Sequence, residues 1–352
     1  MSGLRTRMVS EDLDFVLITE SAQLRYLIGF TGSNGLLVVG SHQADFLTDP
    51  RYTTQAKAET RGAKISIVSG DLVDQLPKLK AFSKGRKKIG YQSERISEAR
   101  AMKLRRVLPQ ALYIAIEDIV SDQMLIKDPS EIALIAEAAR IADHGFTKVL
   151  ECIKPGVRER DVAAELEYIM QMEGSEQTAF ETIVASGPRS ALPHGRASSK
   201  KIKSGDFVTL DFGATYEGYV SDITRTVIVG KPSAQQRALY EVVRRAQDAA
   251  VRRARAGMEC AELDGVARRI IDRAGHGPRF GHGLGHGIGL VVHEGPSVNS
   301  RSKTVLKPGM VITIEPGIYV PGWGGVRIED DIVVGRGKSR VLTHSDKRLI
   351  VL

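Results

Sequence analysis

The stretch RFGHGLGHGIGLVVHEGP, from Arg279 to Pro296, carries three of the chain's eight histidines: His282, His286 and His293. Glycine recurs at every second position from Gly281 to Gly289. Imidazoles hold divalent metals, move protons and stabilise oxyanions. Read as a helix, HGLGH sets His282 and His286 at i and i+4, but it lacks the intervening Glu of a helical zinc site, and each interior glycine costs about 1 kcal/mol. Read as a strand, the glycines fall on one face and His282, Leu284, His286 and Ile288 on the other. The bare face then admits another backbone closely, and the histidine face looks into a site. A further histidine, His194 in ALPHGR, precedes one acid-bearing strand as His293 precedes another.

The acids come in a repeated arrangement. GDFVTLDFG (205–213) lines up with GMVITIEPG (309–317), each placing an acid six residues after a glycine at the end of a β-branched strand, so Asp211 and Glu315 are equivalent positions in two halves. Asp222 follows the turn TYEG. A hairpin centred near Tyr216 and Glu217 sets Asp222 opposite Asp211, with Cβ atoms about 5 Å apart, where like charges are destabilising unless a cation lies between them. One acid exposed, one acid protonated or a shifted register is the plain alternative. In GGVRIEDD, placing Val326 and Ile328 on the core face turns Arg327 and Glu329 the other way; Asp330 and Asp331 compete with Glu329, and parity excludes Asp330 more than Asp331. Two acids from each half make four carboxylates, which cannot all stay ionised in one cleft without metal. Two divalent ions would neutralise them.

Positioning these groups takes two domains, and 352 residues suffice for that. Residues 1–125 alternate DFVLIT, GLLVVG, ADFLT and KISIVSG, which read as strands, with DLVDQLPKLKAF and ERISEARAMKLRRVLP, which read as helices: an α/β domain. At IKDPSEIALIAEAAR the character changes, with Asp128 as N-cap, Pro129 in the first turn and Glu131 completing a capping box. Residues 126–352 form the second domain, its boundary near Met124 to Lys127. Within it, KPGVRERDVAAELEYIMQMEG (154–174) resembles RAGMECAELDGVARRIIDRAG (255–275), so two duplicated halves are expected about a pseudo-twofold axis. The net charge of +8 concentrates in KGRKK (84–88) and VRRAQDAAVRRARA (243–256); neither interleaves aromatics, so both read as solvated faces and not as nucleic-acid surfaces. No run of about 20 apolar residues is present, and Glu11, Asp12 and Asp14 interrupt any signal-peptide core. Cys152 and Cys260 lie far apart, as reduced cytoplasmic thiols do. No G-x-G-x-x-G offers a dinucleotide site.

Taken in order, LRYLIGFTGSNGLLVV, LTDPRYTTQA, ALPHG, LDFGATYEGYVSDITRT, GHGLGHGIGLVVHE, ITIEPGIY and GGVRIEDDI resemble the pita-bread metallopeptidases: aminopeptidase P, prolidase and methionine aminopeptidase. The resemblance covers nearly the whole chain. It implies an α+β pita-bread catalytic domain with a curved antiparallel sheet behind a creatinase-like N-terminal domain. It also implies five metal ligands, Asp211, Asp222, His286, Glu315 and Glu329, holding two divalent ions, Mn²⁺ first and Co²⁺ or Zn²⁺ next. His194, His282 and His293 are similar to substrate-side histidines of the family, and Arg327 to an arginine that orients the ligands. Such a site activates a water for attack on a peptide carbonyl, with His293 or His194 stabilising the oxyanion and Glu315 moving the proton. The expected substrate is a peptide with proline second, cleaved as by a Xaa-Pro aminopeptidase; the alternative is a Xaa-Pro dipeptidase. Some prolidases carry HE·PR, whose arginine binds the dipeptide carboxylate; Ser297 stands there in this chain, with Arg301 as a possible substitute. A non-catalytic binding module or a metal-free amidinohydrolase on this fold should have lost part of the ligand set. A homodimer is the expected assembly, with neither a nucleic acid nor a membrane as partner.

Overall fold

The computed structural model describes residues 1–83, 85–117 and 119–352. Lys84, the first residue of KGRKK, therefore lies outside the described residues. The chain divides into two compact units, Met1–Met124 and Leu125–Leu352. In the first, a six-stranded mixed sheet runs in the order Lys64–Ile67, Ala44–Thr48, Gly35–Gly40, Phe15–Ile18, Lys88–Gln92 and Leu112–Ile116. Its apolar strands pack under the helix Glu98–Val107, through Leu17, Leu36, Ile89 and Leu104. DLVDQLPKLKAF is not the expected α-helix. It forms two 3₁₀ segments, Leu72–Lys78 and Lys80–Phe82, because Pro77 has no N–H to continue an α-helical ladder and Leu79 is extended.

The second unit opens with the helix Pro129–Val149, capped as the sequence predicts. The Asp128 carboxylate accepts from the backbone N–H groups of Ser130 and Glu131, and Glu131 returns a carboxylate to the Asp128 N–H. Two similar halves follow. The first pairs the antiparallel strands Ile183–Ser186, Phe207–Phe212 and Ile223–Ile228, backed by the helix Glu159–Met172. The second pairs Gly285–Gly287, Val311–Ile314 and Asp330–Val333 in the same order, backed by Cys260–Arg273, and adds Glu294–Val298 and Arg340–Val341 at its edges. Phe146, Leu166, Val208 and Phe212 are among the core of the first half. Val243, Leu263, Ile312, Val326 and Ile328 are among that of the second. The helix Ala234–Arg253 contributes Val243, Ala246 and Ala250 to this core and leaves Arg245, Arg252 and Arg253 exposed. The halves join where the Glu329 N–H donates to the Thr224 carbonyl (3.1 Å) and the Asp222 N–H to Asp331 Oδ2 (2.9 Å). Among the described residues, no helix is long and apolar enough to cross a membrane.

Two register expectations need correction. Asp211 lies opposite Thr224, not Asp222. The two-residue turn is Glu217-Gly218, both at positive φ (42° and 69°), with Tyr216 paired to Tyr219. Two left-handed residues are what a tight hairpin turn demands, and centring the turn one residue later shifts every partner by two. Asp211 and Asp222 are thus diagonal neighbours on one face, still within mutual reach. The glycine-histidine segment is a strand only over Gly285–Gly287, with a register irregularity between those residues. The irregularity ends the simple alternation: Leu284 and Ile288 turn into core clusters and not toward the histidines' cavity.

The glycine face does meet backbone. A Cβ on Gly287 would sit 1.8 Å from the Gly295 carbonyl oxygen, and one on Gly285 would sit 2.1 Å from that of Thr313. Neither carbonyl can move without breaking the sheet. Gly287→Ala should therefore lower stability by about 1–3 kcal/mol or more, whereas Gly281→Ala, with nothing within 4 Å of its added methyl, should change it by less than about 0.5 kcal/mol. Urea unfolding of the two variants checks this; equal midpoints would contradict it.

Candidate metal centre

The two halves enclose one cavity of about 680 Å³. All nine residues singled out in the sequence line it: Asp211, Asp222, His286, Glu315 and Glu329, together with His194, His282, His293 and Arg327. Asp211 closes the strand Phe207–Phe212 and Glu315 follows Val311–Ile314, so each acid leaves the end of an equivalent strand. Among the competing acids, Glu329 lines the cavity. Asp330 turns away to accept from Arg225, Gln247, Lys347 and Thr343, and Asp331 accepts from the Asp222 N–H.

At the cavity floor, ligand atoms of Asp222, His286 and Glu329 lie within 4.8 Å of one another. His286 Nε2 stands 3.6 Å from Asp222 Oδ2 and 3.4 Å from Glu315 Oε1. Its Nδ1 lies 3.1 Å from the Gly287 carbonyl oxygen, so Nδ1 carries the proton and the Nε2 lone pair faces two carboxylates. Burial holds this imidazole down to about 4, which keeps it neutral. Burial first, and then Glu329 and Asp211, push Asp222 well above the usual carboxylate range. Burial, then Glu315 and Asp211, do the same to Glu329. Burial raises Glu315 to about 8, against the pull of Arg327. Asp222 Oδ1 is buried with no hydrogen-bond partner among the described residues. A lone pair, an orphaned carboxylate oxygen and a cluster of acids that resist ionisation meet at one place. The arrangement fits a divalent cation with oxygen and imidazole ligands.

Arg327 organises the other wall. It is 3% exposed and donates to Asp211 Oδ2, to Thr224 Oγ1 (3.0 Å) and to the Tyr319 hydroxyl (2.9 Å). Tyr319 lies 2.9 Å from His282 Nε2, and His282 Nδ1 lies 2.7 Å from the Gly283 carbonyl oxygen. One proton assignment satisfies the chain: Arg327 donates to Tyr319, Tyr319 to His282 Nε2, and His282 Nδ1 to Gly283. Burial keeps His282 neutral, down at about 4, and Tyr319 protonated, up at about 12. His293 packs its ring 4.5 Å from that of His286.

Sequence reasoning missed Tyr319 and the buried groups that hold each histidine segment. Glu159, fully buried, accepts from the Ser186 N–H (2.8 Å), the Ser198 hydroxyl (2.6 Å) and Arg189 Nε (3.0 Å), pinning both ends of the loop that carries His194. Asp264 grips Arg268 and the Leu284 N–H, and Arg268 reaches the carbonyls of Phe280 and His282. Glu294 accepts from Lys127 Nζ (2.8 Å) and from the N–H groups of Leu290 and Val291, closing the turn before His293. A signal existed for the first two. Glu159 stands with Val162, Ala163 and Leu166, and Asp264 with Cys260, Leu263 and Ala267, each an acid inside a helix's apolar stripe.

Comparison with known proteins agrees with this architecture. Residues 1–123 match the Creatinase/Prolidase N-terminal domain, and residues 133–336 match Metallopeptidase family M24. A Xaa-Pro dipeptidase of Pyrococcus horikoshii is 41% identical, covering 97% of this chain and 96% of its own. The solved Xaa-Pro dipeptidase from Bacillus anthracis superposes with a TM-score of 0.96 at 43% identity, covering 100% and 98% of the two chains. An X-Pro aminopeptidase from Thermotoga maritima gives 0.91 at 40%, covering 99% of each. The fold is the pita-bread fold behind a creatinase-type N-terminal domain, and the chain belongs to metallopeptidase family M24, whose members work with divalent metal.

Proposed function

We propose that this chain is a Xaa-Pro dipeptidase, hydrolysing the bond before a C-terminal proline. The observation that carries the peptidase reading is the set of four carboxylates lining one cavity, two of which, Asp222 and Glu315, lie within 3.6 Å of His286 Nε2. Dipeptidase now ranks ahead of the aminopeptidase expected from the sequence. Support for that order comes from the end-to-end similarity to proteins named Xaa-Pro dipeptidases. The FTGSNG segment that suggested aminopeptidase P lies in an N-terminal domain type that creatinases and prolidases share, so it does not separate the two activities.

In this reading Asp211, Asp222, His286, Glu315 and Glu329 would hold two divalent ions, Mn²⁺ by preference, with Co²⁺ or Zn²⁺ as substitutes. Bound there, such ions acidify a water and polarise a carbonyl. The protein supplies the rest. Arg327 and Thr224 hold Asp211 and Glu329 in place. The imidazole N–H of His293 or His194 stabilises the developing oxyanion. Glu315 takes a proton and returns it to the leaving nitrogen, which in proline carries no hydrogen of its own. His282, oriented by Tyr319, shapes the substrate side.

Three outcomes test this. The metal-loaded enzyme should cleave Xaa-Pro dipeptides with higher kcat/KM than Xaa-Pro-Yaa-Yaa; a reversed order would return the aminopeptidase reading. Chelation should abolish activity and Mn²⁺ restore it, while Asp222→Asn should bind fewer equivalents by elemental analysis; full activity without bound metal would sink the proposal. The third concerns pH. Glu315 is raised from its ordinary 4.5 to about 8, so in metal-depleted protein the native state keeps a proton that the unfolded chain releases between those values. That contribution is fully present below about pH 4.5 and lost as the pH rises to about 8. The urea midpoint of chelated protein should fall between pH 6 and pH 8, and Glu315→Gln should flatten the fall; an unchanged slope in the variant would contradict it.

A further inference from the structure

A Xaa-Pro dipeptide ends in a carboxylate one residue past the scissile bond. A cavity floored by four acids repels that group, so selectivity for a dipeptide needs a cation within its reach. Among the described residues that line the cavity, the arginines and lysines number two, Arg327 and Arg196. Arg327 is buried and committed to Asp211, Thr224 and Tyr319. Arg196 is its opposite. Its side chain is 78% exposed, and its Nε lies 2.8 Å from Glu181 Oε2, on a side chain itself 59% exposed. Both Arg196 and Glu181 line the cavity.

The residues suggested by sequence do not reach this place. Ser297 is exposed in the strand Glu294–Val298, and Arg301 is exposed in the turn that begins at Asn299; neither lines the cavity. Arg196, by contrast, is built in. Arg189 donates to its carbonyl, and Glu159 holds both Arg189 and Ser198 on either side of it. Two residues earlier, His194 lines the same cavity. The backbone is therefore fixed while the guanidinium stands exposed, with N–H donors arranged for a carboxylate.

We propose that Arg196 is a specificity-determining residue: it receives the carboxylate of the substrate's C-terminal proline, exchanging Glu181 for the substrate. This rests on the Xaa-Pro dipeptidase reading. An exposed ion pair is weak, so the exchange costs little, and a peptide that continues beyond proline offers no carboxylate at that point and leaves Arg196 on Glu181.

The test is the ratio of kcat/KM for Ala-Pro to that for Ala-Pro-amide, measured with Mn²⁺-loaded enzyme. The ratio cancels any change common to both substrates. Wild type should favour the free acid. Arg196→Gln should cut the ratio about 10–100-fold, the scale of a lost charge-assisted hydrogen bond, chiefly by raising KM for the acid. Arg196→Lys should restore part of it, Glu181→Gln should raise it, and Arg301→Gln should leave it unchanged. Metal stoichiometry and the unfolding midpoint establish that each variant is folded. A wild-type preference that survives in Arg196→Gln, or that disappears in Arg301→Gln, overturns this assignment alone. A wild type that cleaves amide and acid equally well overturns the dipeptidase reading together with it.

Discussion

Four carboxylates and the unprotonated Nε2 of His286 share the floor of a single cavity, with the guanidinium of Arg327 standing among them. Burial and mutual repulsion together push Asp222, Glu315 and Glu329 away from their charged forms. Left to itself such a cluster would relax by swinging its acids outward to solvent. Here each acid is attached where it cannot swing. Asp211 and Glu315 sit at strand ends, Asp222 and Glu329 sit where their backbone N–H groups donate across the two halves to Asp331 and Thr224, and Arg327 and Thr224 hold individual oxygens. The fold thus stores an arrangement that only added positive charge makes comfortable.

Much of the surrounding structure serves to keep those strand ends together. The glycines of the histidine segment let it lie against the backbone at Thr313 and Gly295, which a single methyl would prevent. Ion pairs with at least one buried partner do the same for the loops. Glu159 with Arg189, Asp264 with Arg268, and Lys127 with Glu294 each tie down a segment that brings a histidine to the cavity. A buried charge is costly to install and costlier to leave without its partner. The common use of such pairs beside the site points to positioning more than to stability.

The cavity is graded from floor to mouth. At the floor His286 and His282 are held neutral by burial, and their protons are placed by the carbonyls of Gly287 and Gly283. At the mouth Arg196 and Glu181 remain exposed and individually weakly paired. Rigid groups suit charge that develops during bond breaking, since they need no reorganisation at that moment. Exposed, weakly paired groups can exchange partners at little cost.

Composition and pattern alone determined the two-domain layout, the capping box at Asp128, the duplicated acid-bearing strands and the candidates for the site, because these follow from local periodicity and from residue types with few chemical uses. Four of the six N-terminal strands read directly for the same reason: short apolar runs bounded by turn residues. What depended on exact register did not read. The hairpin at Glu217-Gly218 turns one residue later than the sequence suggests, and the irregularity at Gly285–Gly287 sends Leu284 and Ile288 to the core. Backbone register is set by left-handed turn residues and by partners far away in the chain. Residue pattern left Glu329, Asp330 and Asp331 competing and the family resemblance pointed to Glu329; the physical reason lies in the tertiary structure, where Arg225, Lys347 and Gln247 approach Asp330 from elements distant in sequence. The contacts of Tyr319 and Arg196 also waited for tertiary structure. A tyrosine or an exposed arginine carries no pattern of its own, and only the closing of the chain around one cavity gives either of them something to touch.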